Sequence, residues 1–521
     1  MLFAHWSYCH NLFKELRAYS RLMTDLKVKE KYGAPVIDVA LDTIDKKKQA
    51  LVFVNTKRSA EKCAEDISKK IKNVDLSELA EKSLKALSRP TKQCERLSRC
   101  IKAGIAFHHA GLHAKQRDLI ENNFREGKIK IICCTPTLAA GIDLPAFRAI
   151  IRDVKRFTNR GMQDIPVLEY LQMAGRAGRP SFDSYGEAII LTASDAEKNS
   201  VHEKFVLGEP EDIFSKLAVE PVLRTYLLSL ISTKVIQSKE EIYDFFSKTF
   251  WAFQFKDMDK LKTNIDKMLK LLETWTFIQF LDKKYRATLL GRRVAELYID
   301  PLTAYNFMHC LQRAKEITLK PLSFLVLICN TLEMMPLLRV KVKEYDLIQE
   351  ALAKQDAYML DKEPSMFEPE YDIYVNAFKT ALMLDDWIEE KDDVYLLEHY
   401  DIRPGETRAK LERANWLLYA LSEIARIDKQ QFLLKDISRL RFRLRHGAKE
   451  ELLALLRLKN IGRIRARKLF HTGIKDLGAI RKAKIALLEK LLGKKLAKDI
   501  KEQVGEKIEA KDDRRQLNNF V

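Results

Sequence analysis

Apolar residues fall in short unbroken runs through roughly the first 200 positions and in longer helical stripes thereafter. Residues 50–55 read Ala-Leu-Val-Phe-Val-Asn and close at Asn55-Thr56. A run without polar alternation suits a strand buried on both faces of a parallel sheet. Thr56 offers an N-cap oxygen to a helix expected over Arg58–Ile71. The pattern recurs with a strand at Ile105-Ala-Phe, a helix from about Ala114 to Arg125, and strands over Ile129–Cys134, Phe147–Asp153 and Gly186–Thr192. Such alternation predicts one doubly wound parallel-sheet α/β domain over residues 35–200.

Beyond Ala193 the strand signal fades. Residues 201–300 carry helices followed by Phe277-Ile-Gln-Phe-Leu, Lys283-Lys284 and Tyr285-Arg-Ala-Thr, a basic hairpin that predicts a winged helix. Residues 301–440 read as a helical bundle opened by Pro301, with an acidic stretch near Asp385–Asp393, and residues 441–521 are basic and helical. Residues 1–34 form an N-terminal extension whose Leu2, Phe3, Trp6 and Phe13 make it a candidate partner interface. In the helix expected over Pro404–Ile427, Leu411, Ala414, Leu418, Leu421 and Ala425 recur at helical spacing and define the buried stripe. At about 100° per residue Trp416 lies roughly 160° from Ala414. An indole aimed away from its own core suggests a stacking platform for a base, worth about 1–3 kcal/mol; another domain packing over it is the alternative.

The length, 521 residues, calls for several domains. No run of about 18 apolar residues occurs, and Met1–Arg17 is interrupted by polar side chains, which argues against a membrane span or secretory signal. Eight scattered cysteines form no C-x-x-C pair, so neither a zinc site nor a disulfide framework is indicated, and the thiols fit a reducing cytoplasm. A net charge of +19 points to nucleic acid, with affinity falling steeply as salt rises.

Two segments carry chemistry. Cys134-Thr-Pro-Thr-Leu-Ala-Ala-Gly-Ile-Asp-Leu-Pro follows one strand, and Gln172-Met-Ala-Gly-Arg-Ala-Gly-Arg-Pro precedes another. In doubly wound domains ligands bind at the carboxyl ends of strands, where both segments are expected. Gly175 and Gly178 would let the backbone approach a ligand. Arg176 and Arg179, three apart on a helical turn, would project two guanidinium groups from one face, suited to a transferring γ-phosphoryl group. The competing explanation is a pair of arginines bonded to local carboxylates.

On these strings residues 51–180 resemble the second RecA-like domain of superfamily 2 helicases. Leu51-Val-Phe-Val-Asn-Thr is similar to motif IV, Thr135–Pro145 to motif V and Gln172–Arg179 to motif VI. Phe107-His-His-Ala-Gly-Leu and Thr137-Leu-Ala-Ala-Gly are similar to the Ski-type branch, and the order of later domains resembles the archaeal Hjm group of repair helicases, which move 3′ to 5′. The resemblance implies that Arg179 is the arginine finger, Arg176 its partner on the phosphates and Gln172 the coupling residue. It implies further that Gly141 and Asp143 serve the nucleotide, ATP with Mg²⁺, although Asp143 stands where this family often has Asn. Asn55, Thr56, His109, Gly111, Thr135 and Thr137 would contact nucleic acid. The spacing of His108, His109 and His113 alone suits a metal, but no carboxylate or Cys close in sequence completes a shell, and no metal is expected.

Asn159-Arg-Gly161 marks a hairpin between motifs V and VI. The resemblance implies a duplex-splitting wedge with Phe157 or Met162 against the last base pair; a plain surface hairpin is the alternative. The Trp416 helix matches the family's ratchet helix. The Arg expected seven residues before the Trp is replaced by Ala409, leaving Arg408 and Arg413 as candidates for that contact. Residues 452–469 resemble a helix-hairpin-helix whose turn, Asn460-Ile-Gly462-Arg463, offers backbone N–H groups to phosphate, with Arg465, Arg467 and Lys468 beside it. Leu517-Asn-Asn-Phe-Val faintly resembles a sliding-clamp peptide, yet Arg514 replaces the usual Gln, which favours a plain tail.

Neither a G-x-x-x-x-G-K-[ST] loop nor a strand-borne Asp-Glu-x-His occurs in the 521 residues. The expectation is therefore the C-terminal half of a split helicase, inactive as an ATPase until a separate polypeptide brings the first RecA-like domain. A non-catalytic DNA-binding remnant and an RNA-directed Ski-type half are the alternatives.

Overall fold

The computed structural model describes residues 28–72, 74–87, 89–139, 143–158, 161–179 and 183–506, with the backbone of 4–7. The chain divides into two compact units, Met1–Ile213 with Asp401–Arg408, and Phe214–Tyr400 with Ala409–Val521.

The first unit contains β1 (Ala4–Ser7), α1 (Pro35–Asp45), β2 (Ala50–Phe53), α2 (Lys57–Ser68), α3 (Ser77–Leu84), α4 (Lys92–Lys102), β3 (Ile105–His108), α5 (Ala114–Arg125), β4 (Ile131–Cys134) and β5 (Arg148–Ile151). It continues with β6 (Lys155–Thr158), β7 (Gly161–Asp164), α6 (Val167–Ala174), β8 (Glu187–Ile190) and α7 (Asp195–Val201). The sheet runs β1-β8-β5-β2-β4-β3. All its pairings are parallel except β1–β8, with Ala50 opposite both Ile131 and Arg148. The central strands are buried along their whole length, as their unbroken apolar runs require. Thr56 caps α2, its hydroxyl accepting from the Ser59 N–H at 3.0 Å.

The unit reaches past the expected boundary at residue 200 because Glu211 returns to α6. Its carboxylate accepts from the N–H groups of Val167 (2.6 Å) and Leu168 (3.2 Å), donors that the helix start leaves unpaired. Within the sheet, Arg148 is fully buried; its guanidinium donates to Glu187, to Asp42 and to Thr43 Oγ1 at 3.0 Å. Of the N-terminal extension the backbone of 4–7 and residues 28–34 are described, so the side chains of Leu2, Phe3, Trp6 and Phe13 and any partner role lie outside the described residues.

The second unit opens with α8 (Glu220–Ser232), α9 (Lys239–Ser247), α10 (Phe250–Phe255), α11 (Met258–Thr274), β9 (Ile278–Leu281), β10 (Lys284–Ala287) and α12 (Leu289–Leu297). Asp282 and Lys283 both take positive φ (53° and 60°), the two-residue turn that matches strand twist. Helices followed by this hairpin form the expected winged helix. Arg224 of α8 clasps Asp300 through two bonds of 2.6 and 2.7 Å, both side chains buried.

A helical bundle follows: α13 (Pro301–Gln312), α14 (Pro321–Cys329), α15 (Tyr345–Gln355), α16 (Tyr371–Ile388), α17 (Asp393–Tyr400), α18 (Pro404–Ile427) and α19 (Leu434–His446). Helix α18 has the predicted bounds and buries the predicted stripe, together with Leu417, Ala420 and Ile424. The chain ends in α20 (Arg463–His471), α21 (Leu477–Lys482), α22 (Ile485–Leu492) and α23 (Lys494–Gln503) around a small apolar core of their own. Among the described residues no helix is long and apolar enough to cross a membrane.

Candidate functional site

Three motif-bearing segments converge on a cleft of about 800 Å³ in the α/β unit. Asn55 and Thr56 reach it from the end of β2, Thr135 and Thr137 from the end of β4, and Gln172 from α6. The sequence motifs nominated all five. Thr137 is exposed and shares a hydroxyl–hydroxyl bond of 2.9 Å with Thr135, while the Asn55 N–H is fixed by Asp153 Oδ2 at 3.1 Å. The cleft also holds cations that the motifs did not single out: Lys57, Arg58, Arg156 and Arg403. Each has an acidic partner: Glu406, Asp401, Glu169 and Glu61 respectively.

Arg403 belongs to a strap, Asp401–Arg408, that joins this unit from far along the chain. Gly405 and Gly111 make the approach possible. A Cβ on Gly405 would lie 2.3 Å from the Ala110 carbonyl oxygen, and one on Gly111 would lie 2.4 Å from Arg403 Cδ. The Gly405 N–H donates to the Gly111 carbonyl at 3.1 Å.

Beneath the strap Glu61 is a buried hub. It accepts from Gln93 at 2.7 Å, from Arg96 and from Arg403 at 3.3 Å, and its Oε1 lies 3.2 Å from His109 Nε2. Burial by itself would raise the Glu61 carboxyl; contacts with His109 and Gln93 and the Arg403 charge overcome it and hold it at about 2. Burial pushes the His108 and His109 imidazoles below their ordinary range.

These positions correct two expectations. His109 is wholly buried and Gly111 is packed under Arg403, so both shape the cleft from inside rather than touch a ligand in it. Carboxylates do stand beside the histidines, Glu121 at 2.9 Å from His108 and Glu61 beside His109, as single ring partners; His113 caps α5 through its Nδ1. Among the described residues no cluster with a metal-ligand set occurs.

The motif arginines occupy the other end of the sheet. Helix α6 stops at Ala174, Ala177 bridges Ala146, and Gly178 takes φ +94° with its N–H on the Ala146 carbonyl at 2.7 Å. Arg176 and Arg179 therefore do not share a helical turn. The segment precedes β8 and enters at the amino ends of the strands, opposite the carboxyl-end cleft. Gly178 meets backbone, not ligand: a Cβ on its neighbour Gly186 would lie 2.1 Å from the Gly178 nitrogen.

Arg176 donates to the Ala139 carbonyl at 3.0 Å. Arg179 donates to Asp183 at 2.7 Å and to Gln49 Oε1 at 2.6 Å, and Gln49 is anchored by donating to the Phe124 and Ile129 carbonyls. The local-carboxylate explanation thus holds for Arg179 in this state, though its side chain keeps 21% exposure. Asp143 is exposed and its carbonyl accepts from Arg125 at 3.5 Å; Gly141 lies outside the described residues.

The hairpin is present. Phe157 and Met162 face each other across β6 and β7 and are 81% and 64% exposed. Its base is tethered by Arg156–Glu169 and by Lys204–Asp164, both near 2.7 Å (2.8 and 2.6 Å).

In the second unit the expected contacts are more committed to the fold. Trp416 does not point freely outward: it is half-buried and its indole N–H donates to the Leu297 carbonyl at 3.0 Å, because α12 ends against it. Arg413 donates to the Met335 carbonyl, whereas Arg408 is exposed. Gly462 is the exposed N-cap of α20, and Asn460 adopts the left-handed conformation (φ 65°) that the turn needs. Arg463 is not an open phosphate donor. It stacks on Trp387 at 4.3 Å and donates to the Lys391 and Gly447 carbonyls, and burial lowers its basicity. Arg467 is held by Glu390 and Glu451; Arg465 stays exposed with one bond to the Asn460 carbonyl at 2.9 Å.

Comparison with known proteins agrees with this layout. Residues 35–181 match the model described as helicase conserved C-terminal domain, 186–279 a helix-turn-helix domain, and 322–447 archaeal helicase, domain 4. The chain is 40% identical over 482 residues to the ATP-dependent DNA helicase Hel308 of Pyrococcus horikoshii, covering 90% of this chain and 66% of that protein. For the proteins of the same name from Pyrococcus abyssi and Methanococcus vannielii the figures are 39% over 482 residues and 38% over 520, covering 66% and 67% of their lengths. The chain spans about two thirds of the length of these curated relatives. The α/β unit is the second RecA-like domain, followed by winged-helix and helical domains. The chain belongs to the Hel308-type family of archaeal superfamily 2 helicases.

Proposed function

We propose that this chain supplies the C-terminal half of an ATP-dependent 3′-to-5′ DNA helicase working in replication-fork repair and recombination. The observation that carries the reading is the meeting of Asn55, Thr56, Thr135, Thr137 and Gln172 in one cleft. A single strand tracks along that cleft, its phosphates bonded by the threonine hydroxyls and Asn55. The exposed Phe157–Met162 pair presses on the last base pair of the fork, which costs a few kcal/mol to open. Trp416, Arg408, Arg413, Gly462 and Arg465 are further contacts for nucleic acid.

ATP with Mg²⁺ supplies the free energy, held mainly by a first RecA-like domain on a separate polypeptide. This chain's part is to present Arg176 and Arg179 to the phosphates, with Gly141 and Asp143 toward the ribose. The donor chemistry fits: both guanidiniums are partly exposed, Arg176 is bonded to the Ala139 carbonyl and Arg179 to Asp183. Gln172 belongs to the same string as the arginines yet faces the cleft, so α6 links the two ends of the sheet and passes a change at the phosphates to the strand.

The test is reconstitution. The purified chain alone binds forked DNA without hydrolysing ATP; adding a Walker-bearing RecA-like partner yields DNA-stimulated hydrolysis and unwinding. Arg179→Ala lowers the reconstituted hydrolysis about 10³-fold or more while DNA binding persists. Robust hydrolysis by the chain alone refutes the split arrangement. No gain on mixing supports the second reading, a DNA-binding remnant, which the Arg179–Asp183 pair favours. Preference for RNA forks in the same assay identifies an RNA-directed motor.

A further inference from the structure

Helix α19 carries Arg439, Arg441, Arg443 and Arg445, and the fold treats them in two ways. Arg439 pairs with Glu450 at 2.8 Å and Arg443 with Glu389 at 2.6 Å. Arg441 and Arg445 have no carboxylate partner among the described residues. They lie one turn apart on a shared face. Arg441 donates its Nε–H to Asn415 Oδ1 at 2.9 Å and lays its guanidinium 4.8 Å from the centre of the Tyr419 ring. On the other side of Tyr419, Arg293 is occupied by the tyrosine hydroxyl and Glu423, each at 2.8 Å, and by Glu296.

We propose that Arg441 and Arg445 of α19, with Asn415 and Tyr419 of α18, form a second single-stranded DNA subsite beside Trp416; this rests on the DNA-motor reading above. A guanidinium stacked by one face and fixed at Nε is pre-set to offer its remaining edge to a phosphate, the planar fork that Arg provides and Lys does not. Arg445 adds a second cation one turn along for the next phosphate. Asn415 and Tyr419 flank Trp416 on α18, so the aromatic surface that takes one base extends toward its neighbour. Pairing Arg293 with Glu423 and Glu296 leaves Arg441 as the cation beside Tyr419 without a carboxylate partner among the described residues.

The test measures binding of the full chain to a fluorescently labelled oligothymidylate by anisotropy across a salt series. Each lost phosphate contact on a single strand removes about 0.7 from the slope of log K against log salt. R441Q/R445Q therefore lowers that slope by about 1.4, with an unchanged circular dichroism melt. Tyr419→Ala weakens binding about 5- to 100-fold while leaving the slope unaltered. The control K435Q/R439Q removes the same charge from α19 at positions about 120–160° from Arg441 and about 80–120° from Arg445 and leaves the slope as in the wild type. An unaltered slope in R441Q/R445Q, or an equal loss in K435Q/R439Q, overturns the subsite while the DNA-motor reading stands. A wild-type chain that fails to bind the oligonucleotide overturns that reading and the subsite with it.

Discussion

Replacing Glu61 by glutamine keeps the side-chain volume and removes the charge at the hub beneath the strap. Lowering a carboxyl from 4.5 to about 2 corresponds to about 3 kcal/mol of preference for the charged form in the folded state. The loss is of that size because Arg96 keeps Glu65, whereas Arg403 is left buried with only the more distant Glu406, 4.0 Å away. Hydrogen exchange read by mass spectrometry isolates the effect, since peptides over Ala50–Phe53 and Ile131–Cys134 report opening of the α/β core. About 3 kcal/mol becomes roughly a hundredfold faster exchange at neutral pH. Peptides over Met258–Thr274 and Tyr371–Ile388 report the second unit and exchange as in the wild type. The pH profile has a definite sign. A depressed carboxyl pKa stabilises above the unfolded value, near 4.5, and that contribution disappears as pH falls toward about 2. His109, its folded pKa below the ordinary 6.5, adds a loss in the same direction below that value. Exchange within about twofold of wild type, or equal acceleration in the second unit, refutes the hub.

Gly405→Ala places a Cβ against two backbone carbonyls, so the strap shifts and peptides over Asp401–Arg408 lose protection by about 1–3 kcal/mol. Phe157→Ala alters an exposed ring, so the thermal melt moves by less than about 0.5 kcal/mol; strand separation by the reconstituted motor falls while its DNA-stimulated ATP hydrolysis continues. Asp300→Asn strands Arg224 in a buried site and costs about 3–5 kcal/mol, seen as a lower tryptophan-fluorescence melt with α/β-core exchange unaffected.

The parts of the fold legible in the sequence were those written locally. Unbroken apolar runs located β2, β4, β5 and β8, because a parallel strand covered on both faces leaves no polar position. The stripe of α18 located a 24-residue helix to both of its ends. Helix α4 carries Cys94, Leu97 and Ile101 on one face but is polar overall, which hides its apolar stripe in the sequence. The site divided the same way. Asn55, Thr56, Thr135, Thr137 and Gln172 stand in recognisable strings and meet as expected. Glu61 and Arg403 are separated by more than 300 positions, and no periodicity in either neighbourhood announces their pairing. Gln49 left a weak signal, a polar residue opening an apolar run. For Trp416 the helical angle fixes which side faces the helix's own core, not whether another element covers the other side, and α12 does.

The arginines of the motif gain meaning from what holds them. Burial by itself would raise Asp183, but its bonds to Arg179 and to Lys48 (2.6 Å) hold its carboxyl below the usual range. One carboxylate thus bonds two cations, Lys48 and Arg179, both partly exposed. An arginine neutralised by its own acid would gain little from a phosphate, because a pair must be broken to make another. Here Lys48 stays on Asp183 if Arg179 turns away, so the carboxylate is not stranded and the cost of release is reduced. Gln49, bonded to the Phe124 and Ile129 carbonyls, keeps its Oε1 aimed at Arg179 throughout. On the proposed reading that pairing is a resting position, and the arginine leaves it for the γ-phosphoryl group brought by the partner domain.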